Sequence, residues 1–289
     1  MRNTIRTLLV NPHASMLWMP YGPASAYVAV TPDRGPGLAK DFDLVVLMTG
    51  TPGRDFYCPE YLEHPNCVYF NWDPMSAAAT APGPELLAFI KENYRAYSFQ
   101  REDCGRYGLR YAPAPYYPLA LPPAERKGDI VFLGRPKGRY ERLQFLRGMA
   151  RSEGVSTYIR LAITGEDIGV YPEEFWPGWV ASREQVHYLD YLRWLAGAKA
   201  VVDFTQPGQS AGSQRENEFL LYGHLKLITD NEAVLEEDWY SPENVFIVGR
   251  DEGLKAWLEI PRVPIDPAIL DARNVAGGWA RNIYEDVKV

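Results

Sequence analysis

What most restricts this chain is the spacing of its apolar residues: runs of strand length that end in turn residues, with segments of helical period between them. The runs in the first half are Leu8-Leu9-Val10, Leu44-Val45-Val46-Leu47-Met48, Cys67-Val68-Tyr69-Phe70 and Tyr94 to Phe99. A run that is apolar at nearly every position suits a strand covered on both faces, and strands of that kind are parallel. Between two of them, Pro84-Glu85-Leu86-Leu87-Ala88-Phe89-Ile90-Lys91 has helical spacing, and its proline suits a first helical turn. Strand and helix in alternation predict an α/β sheet.

From Ala112 to Pro123 the sequence is Ala-Pro-Ala-Pro-Tyr-Tyr-Pro-Leu-Ala-Leu-Pro-Pro, where repeated proline removes backbone donors and stops both helix and central strand. The same grammar then restarts. Asp129 to Leu133, Thr157 to Ile163, Ala200 to Phe204, Leu225 to Thr229 and Val245 to Val248 read as strands, with helices over 140–152, near 188–196 and around 216–221. A chain of 289 residues exceeds the usual single-domain size. The expectation is two Rossmann-like domains, 1–120 and 121–269, facing a central cleft, with a last helix within 270–287 packing back on the first. The stretch Gly165 to Arg183 reads as a long loop.

Charge and composition exclude several classes of function. A formal charge of -7 and an isoelectric point near 5.3 argue against general affinity for nucleic acid. Cys58, Cys67 and Cys104 share no metal-type spacing and suggest reduced thiols. No His, Cys or Asp cluster has ligand spacing, so no metal is expected, and Asp41 of Asp41-Phe42-Asp43 precedes a strand and reads as solvent-facing. The run Thr7 to Val10 is too short for a secretion signal, and nothing approaches the roughly 18 to 20 apolar residues that span a bilayer. The expected location is cytoplasmic.

Two segments carry the chemistry. After the strand ending at Leu133 comes Gly134-Arg135-Pro136-Lys137-Gly138-Arg139 and then a helix. Glycines allow close backbone approach, the helix N-terminus favours an anion, and Arg135, Lys137 and Arg139 add positive charge, so a diphosphate suits this loop as well as solvent does. The second segment is Gln209-Ser210-Ala211-Gly212-Ser213-Gln214-Arg215-Glu216-Asn217-Glu218, between a strand and a helix. Ser213 can cap the helix, Arg215 lies near its start, and Glu218 follows one turn later on the same side. Cation and amides would take phosphates there and the carboxylate would take ribose hydroxyls; a capping box with a surface Arg/Glu pair is the plainer reading.

These segments belong to an ordered series: Tyr97-Ser98-Phe99, Arg101-Glu102-Asp103-Cys104, Tyr107-Gly108-Leu109, Asp129 to Gly134, Lys137-Gly138-Arg139, Gln209 to Glu218, Lys226-Leu227-Ile228-Thr229 and Tyr240 to Val245. The series resembles the small bacterial GT-B glycosyltransferases of lipopolysaccharide and capsule assembly, over about 94–248. Their donor domain carries Gln-x-Gly-Leu-Thr-x-Arg-x-x-Glu, which this chain matches at Gln209, Arg215 and Glu218. It has Ser213 for threonine, and Ala211-Gly212 where Gly-Leu is usual. The resemblance implies transfer from a nucleotide-sugar donor, a UDP-sugar favoured, to a saccharide or lipid-linked saccharide acceptor. It implies donor contacts from Gly134, Arg135, Lys137, Gly138, Arg139, Gln209, Gly212, Ser213, Arg215 and Glu218. No cofactor beyond the donor is expected, and peripheral contact with the inner membrane fits the acceptor class; Trp18-Met19-Pro20-Tyr21 suits contact with a lipid-linked acceptor and equally a core or lid role.

An inverting transferase of this kind needs a base for the acceptor hydroxyl. Asp73, in Asn71-Trp72-Asp73-Pro74 directly after a buried strand, is the first candidate, His13 after the first strand the second, and Asp55 the third. A retaining reaction needs none of them. Two other readings stay open: a sugar-nucleotide epimerase or hydrolase of the same fold, and a non-catalytic nucleotide-sugar-binding subunit.

Overall fold

The structure, a computed structural model, describes residues 5–10, 27–48, 53–75, 82–116, 120–163, 170–172, 174, 186, 188–206 and 208–288. The chain divides into two compact units. Unit 1 comprises Met1–Leu119, Gly208–Ala211 and Asp266–Val289; unit 2 comprises Ala120–Pro207 and Gly212–Ile265.

Unit 1 is built on β1 (Thr7–Val10), β2 (Tyr27–Val30), β3 (Leu44–Met48), β4 (Cys67–Asn71), β5 (Arg95–Ser98) and β6 (Arg110–Tyr111), all parallel, in the order β2-β1-β3-β4-β5-β6. Its helices are α1 (Gly35–Leu38), α2 (Pro59–Leu62), α3 (Pro84–Asn93) and α4 (Arg101–Tyr107), and, from the end of the chain, α9 (Pro267–Arg273) and α10 (Gly278–Val287). Strand side chains alternate between faces, and here both faces are apolar. Leu44, Val46 and Met48 of β3 join the layer holding Trp279, Ile283 and Val287 of α10, while Val45 and Leu47 join the layer holding Phe56, Tyr61 and Ile90. That is why the runs read as uninterrupted apolar sequence.

Unit 2 repeats the plan with β7 (Ile130–Gly134), β8 (Thr157–Leu161), β9 (Ala200–Asp203), β10 (Lys226–Thr229) and β11 (Val245–Ile247), parallel in the order β11-β10-β9-β7-β8. Helices α5 (Tyr140–Ser152), α6 (Tyr188–Ala196), α7 (Gln214–Leu221) and α8 (Leu254–Glu259) accompany it. Leu143, Leu146 and Ala150 of α5 and Leu254, Trp257 and Leu258 of α8 pack with Phe132, Val202, Ile228 and Phe246 on one face. α7 packs on β9 and β10, and α6 on β7. In both sheets the second strand lies on one side of the first and the later strands on the other. This is a Rossmann-like order with topological switch points between β1 and β3 and between β7 and β9, and ligands of such sheets gather outside the carboxyl ends of the strands at the switch point.

The structure adds elements that apolar spacing did not indicate. α4 buries Asp103 and is otherwise largely polar, so it lacks an apolar stripe; Gly108 ends it in the left-handed conformation at φ 66°. β6 is only a two-residue edge strand. α9 starts at Pro267 with the Asp266 carboxylate accepting from the Ala268 amide at 2.8 Å. Most of 165–183 lies outside the described residues. Among those described, no helix is long and apolar enough to cross a membrane.

α10 is fixed to unit 1 through Trp279, which is 1% exposed, meets Phe70 edge-on at 5.4 Å and donates its indole N–H to the Pro113 carbonyl at 2.8 Å. Truncation of such a side chain leaves a cavity and costs about 3–5 kcal/mol. Trp279→Ala is therefore expected to lower unit 1 stability by that amount in urea unfolding, and Trp279→Phe by much less.

Candidate functional site

The unit 2 switch point is where the two chemistry-bearing segments meet. β7 ends at Gly134, and the chain turns through Lys137 (φ 42°) and Gly138 (φ 72°), two successive left-handed residues. The turn is closed by the Arg139 amide donating to the Pro136 carbonyl at 2.8 Å. α5 begins at once, and no side chain caps it. Arg135, Lys137 and Gly138 are exposed. The first turn of α5 is tied to the neighbouring strand ends by Arg142, which pairs with Asp230 and donates to the Thr205 carbonyl at 2.7 Å; Asp230 in turn accepts the Thr205 amide at 3.0 Å.

Beneath that turn lies Asp203, the last residue of β9, 2% exposed. Its carboxylate accepts the Ser213 amide at 2.6 Å and the Ser213 hydroxyl, and Ser213 caps α7 by accepting the Arg215 amide at 3.3 Å. In a capping box the glutamate at the third helical position takes the cap residue's amide. Here the strand-end aspartate has taken it, so the start of α7 is fixed to β9. The Arg215 guanidinium reaches back to the Leu133 carbonyl and the Ser213 hydroxyl, with its centre 4.7 Å from the Phe132 ring centroid. Gly134 makes that approach possible, because a Cβ there would strike the guanidinium; a Cβ at Gly212 would likewise strike the Glu216 side chain.

Arg139 is buried, 5% exposed, and its Nε and Nη1 have no hydrogen-bond partner. Burial, with the like charge of Arg215 and Arg142, pulls its pKa down to about 10, against the pull of Asp203. Two arginines thus stand near the strand-end carboxylate. They sit under a turn with exposed basic side chains, and an α-helix N-terminus opens beside them.

Glu218 stands one turn beyond Arg215 on α7, 2% exposed. Helical spacing gave this carboxylate a ligand's ribose hydroxyls; in the structure its two oxygens accept from Tyr188 at 3.0 Å and Tyr191 at 2.7 Å, both on α6. Spacing along one helix could not show what a second helix would lay over that face. Burial raises the Glu218 pKa from the usual 4.5 to about 7, with the tyrosine hydroxyls and Arg215 acting against it.

The remaining sequence candidates fall in unit 1. Gln209 belongs there, donating its side-chain amide to the Ala211 carbonyl at 2.8 Å, so the segment 209–218 is divided between the units after Ala211. Ser210 donates its amide to the Gln100 side chain at 2.9 Å; Gln100, 1% exposed, donates to Asp103 at 3.0 Å, and Asp103 accepts the Met75 amide at 3.0 Å. Asp73, half-buried, lies in the bend between β4 and Met75, its carbonyl accepting from Asn71 at 2.5 Å. Buried Gln100 and Asp103 therefore fix the backbone of both the Asp73 bend and the Ser210 segment, a role that no spacing announced. Asp55 lies in a short 3-10 turn over Gly53–Tyr57, and Asp41 is exposed. His13 and Trp18 to Tyr21 lie outside the described residues. Among the described residues, no three His, Cys, Asp or Glu side chains gather as metal ligands would.

The sequence matches no protein-family profile and no curated protein. Among solved structures the chain is similar to AviGT4, a glycosyltransferase involved in avilamycin A biosynthesis, at 15% identity and a TM-score of 0.46, over 98% of this chain and 95% of that one.

Two outcomes follow from this geometry. Gly134→Ala should displace Arg215 from the Leu133 carbonyl and lower stability by about 1–3 kcal/mol, the cost of overpacking, measured by urea unfolding. For Glu218, only the folded state holds the proton between pH 4.5 and about 7, so stability falls as pH rises through that window and the full loss is reached above it. The loss is on the order of 3 kcal/mol, and Glu218→Gln, which does not titrate, should flatten that part of the profile of unfolding midpoint against pH.

Proposed function

We propose that this chain is a GT-B glycosyltransferase that moves a sugar from a nucleotide-sugar donor, a UDP-sugar favoured, to a saccharide or lipid-linked saccharide acceptor of cell-surface polysaccharide. The observation that carries the reading is the gathering of cations at the unit 2 switch point: buried Arg139, its Nε and Nη1 without hydrogen-bond partners, and half-buried Arg215, under a turn with exposed Arg135 and Lys137. Two parallel sheets of Rossmann-like order are the scaffold on which such a site is expected.

In the reaction the bond between the anomeric carbon and the diphosphate oxygen breaks, a bond to the acceptor oxygen forms, and charge grows on the departing diphosphate. Fixed cations and a helix N-terminus stabilise that charge without reorganising. Gly134, Gly138 and Gly212 let the backbone come close to the phosphates, Ser213 fixes the helix start that faces them, Arg135 and Lys137 close over them, and Arg139 and Arg215 supply the field from below. Gln209 belongs to the donor set through the segment it shares with Ser213. Glu218 acts on this site from behind, through its charge. With inversion the acceptor proton goes to Asp73, whose bend is held by Asp103 through Met75, with His13 as the second candidate.

Thermal-shift and calorimetric screening against UDP, GDP, CMP, ADP and their sugar conjugates tests the reading. One nucleotide is expected to stabilise the protein, and Arg215→Ala and Arg139→Met each to weaken its binding about tenfold or more, the worth of a charged hydrogen bond. Stabilisation by none of them would sink the proposal. Nucleotide release that needs no acceptor would replace transferase with hydrolase.

A further inference from the structure

We propose that Glu218 couples the diphosphate site to pH: it takes up a proton when the donor binds, so nucleotide-sugar affinity rises as the medium becomes more acidic. The inference rests on the donor-site reading above and adds its regulation.

The geometry is that of a charged group placed behind a ligand site without touching the ligand. Glu218 and Arg215 share one side of α7, and Arg215 links the cap Ser213 to the Leu133 carbonyl at the site itself. Around the carboxylate stand Tyr188 and Tyr191 of α6, Tyr222 at the end of α7, and Asp203 of β9. On β10 the ammonium of Lys226 is turned to Trp257, 4.5 Å from its ring centroid, and Arg262 reaches α7 at the Phe219 carbonyl at 3.0 Å. Arg215 is therefore the cation that senses Glu218, and Asp203 is the anion that competes with it.

Charge counting gives the sign. With Glu218 ionised, its charge and that of Asp203 offset nearby Arg139 and Arg215; with Glu218 protonated, the field of the cations at the site is stronger by one charge. An anion at the site opposes ionisation of Glu218, so it raises that group's proton affinity. By reciprocity, protonation raises the anion's affinity by the same factor. The tyrosine hydroxyls keep the side chain in place in both forms, since a protonated carboxyl still accepts through one oxygen and a hydroxyl can accept as well as donate. Burial brings the change near neutrality, where a cell's pH lies. Proton-linked affinity changes by up to about tenfold per pH unit between the midpoints of the free and liganded protein.

The test is calorimetry with the stabilising nucleotide sugar as probe, because its diphosphate diester keeps the same charge through neutral pH. Titrations at about pH 6, 7 and 8, each in two buffers of different ionisation heat, count the protons that accompany binding. Wild type is expected to take up a substantial fraction of one proton near pH 7 and to lose affinity several-fold by pH 8. Glu218→Gln is expected to bind at every pH near the wild-type low-pH affinity, with that uptake gone. Tyr191→Phe, which removes one donor to the carboxylate, should move the uptake to higher pH. Wild-type binding without proton uptake, or an unchanged uptake in Glu218→Gln, overturns the coupling and leaves the donor site standing. Absence of binding in wild type at all three pH values overturns the donor site and the coupling with it.

Discussion

The organisation of unit 2 depends on the carboxylate of Asp203. Placed at the end of β9, it takes the amide and hydroxyl of Ser213, and by doing so sets where α7 begins. Arg215 then extends from the first turn of α7 to the Leu133 carbonyl at the end of β7, across the two strands that flank the switch point. A buried carboxylate of this kind is tolerable only with its lone pairs occupied and opposite charge nearby. Both conditions are met, and they are met by residues that also form the rim of the candidate site. Structural and ligand-directed electrostatics are here the same interaction.

The sheets make such a site possible through their order more than through their composition. Each is apolar on both faces, as the alternation of Leu44, Val46 and Met48 with Val45 and Leu47 shows, so helices must cover both sides. Reversal of the winding direction between β7 and β9 leaves a gap at their carboxyl ends, where loops cannot pack on one another as they do elsewhere along the sheet edge. Into that gap project the turn with Gly134 and Gly138, and the cap of α7. Gly134 leaves that place to the Arg215 guanidinium, whose end a Cβ there would push aside.

Unit 1 reuses the plan with a different emphasis. Asn71 at the end of β4, Gln100 before α4 and Asp103 within it are buried, and their amides and carboxylate bond to main chain and so hold the shape of loops. α10 closes one face of the sheet through Trp279 and carries Asp286 at its far end, where Arg95, Arg110 and Tyr97 converge on it. The strand-end arginine cluster therefore belongs to unit 2, and this fixed polar scaffold to unit 1.

The class of fold was legible in the sequence, because short apolar runs bounded by turn residues and alternating with helical spacing suit parallel strands covered on both faces, and every such run from Leu8 to Val248 overlaps a strand. The sequence also located the turn at 134–139 and the cap at Ser213, since glycine, small residues and basic side chains at a strand-to-helix junction are local signals. β2, β6 and α4 were not legible: one is a four-residue run, one is two residues long, and one buries a carboxylate in place of an apolar stripe. Asp203 was visible only as the end of an apolar run, and Gln100 as one polar residue among many. What each of them bonds to comes from segments ten or more residues away. Tertiary structure alone decided the state of Glu218: helical spacing put it beside Arg215, and the arrival of α6 with Tyr188 and Tyr191 buried it. Burial, which sets the affinity of that carboxylate for a proton, is a property of the packed surroundings and has no local signature in the chain.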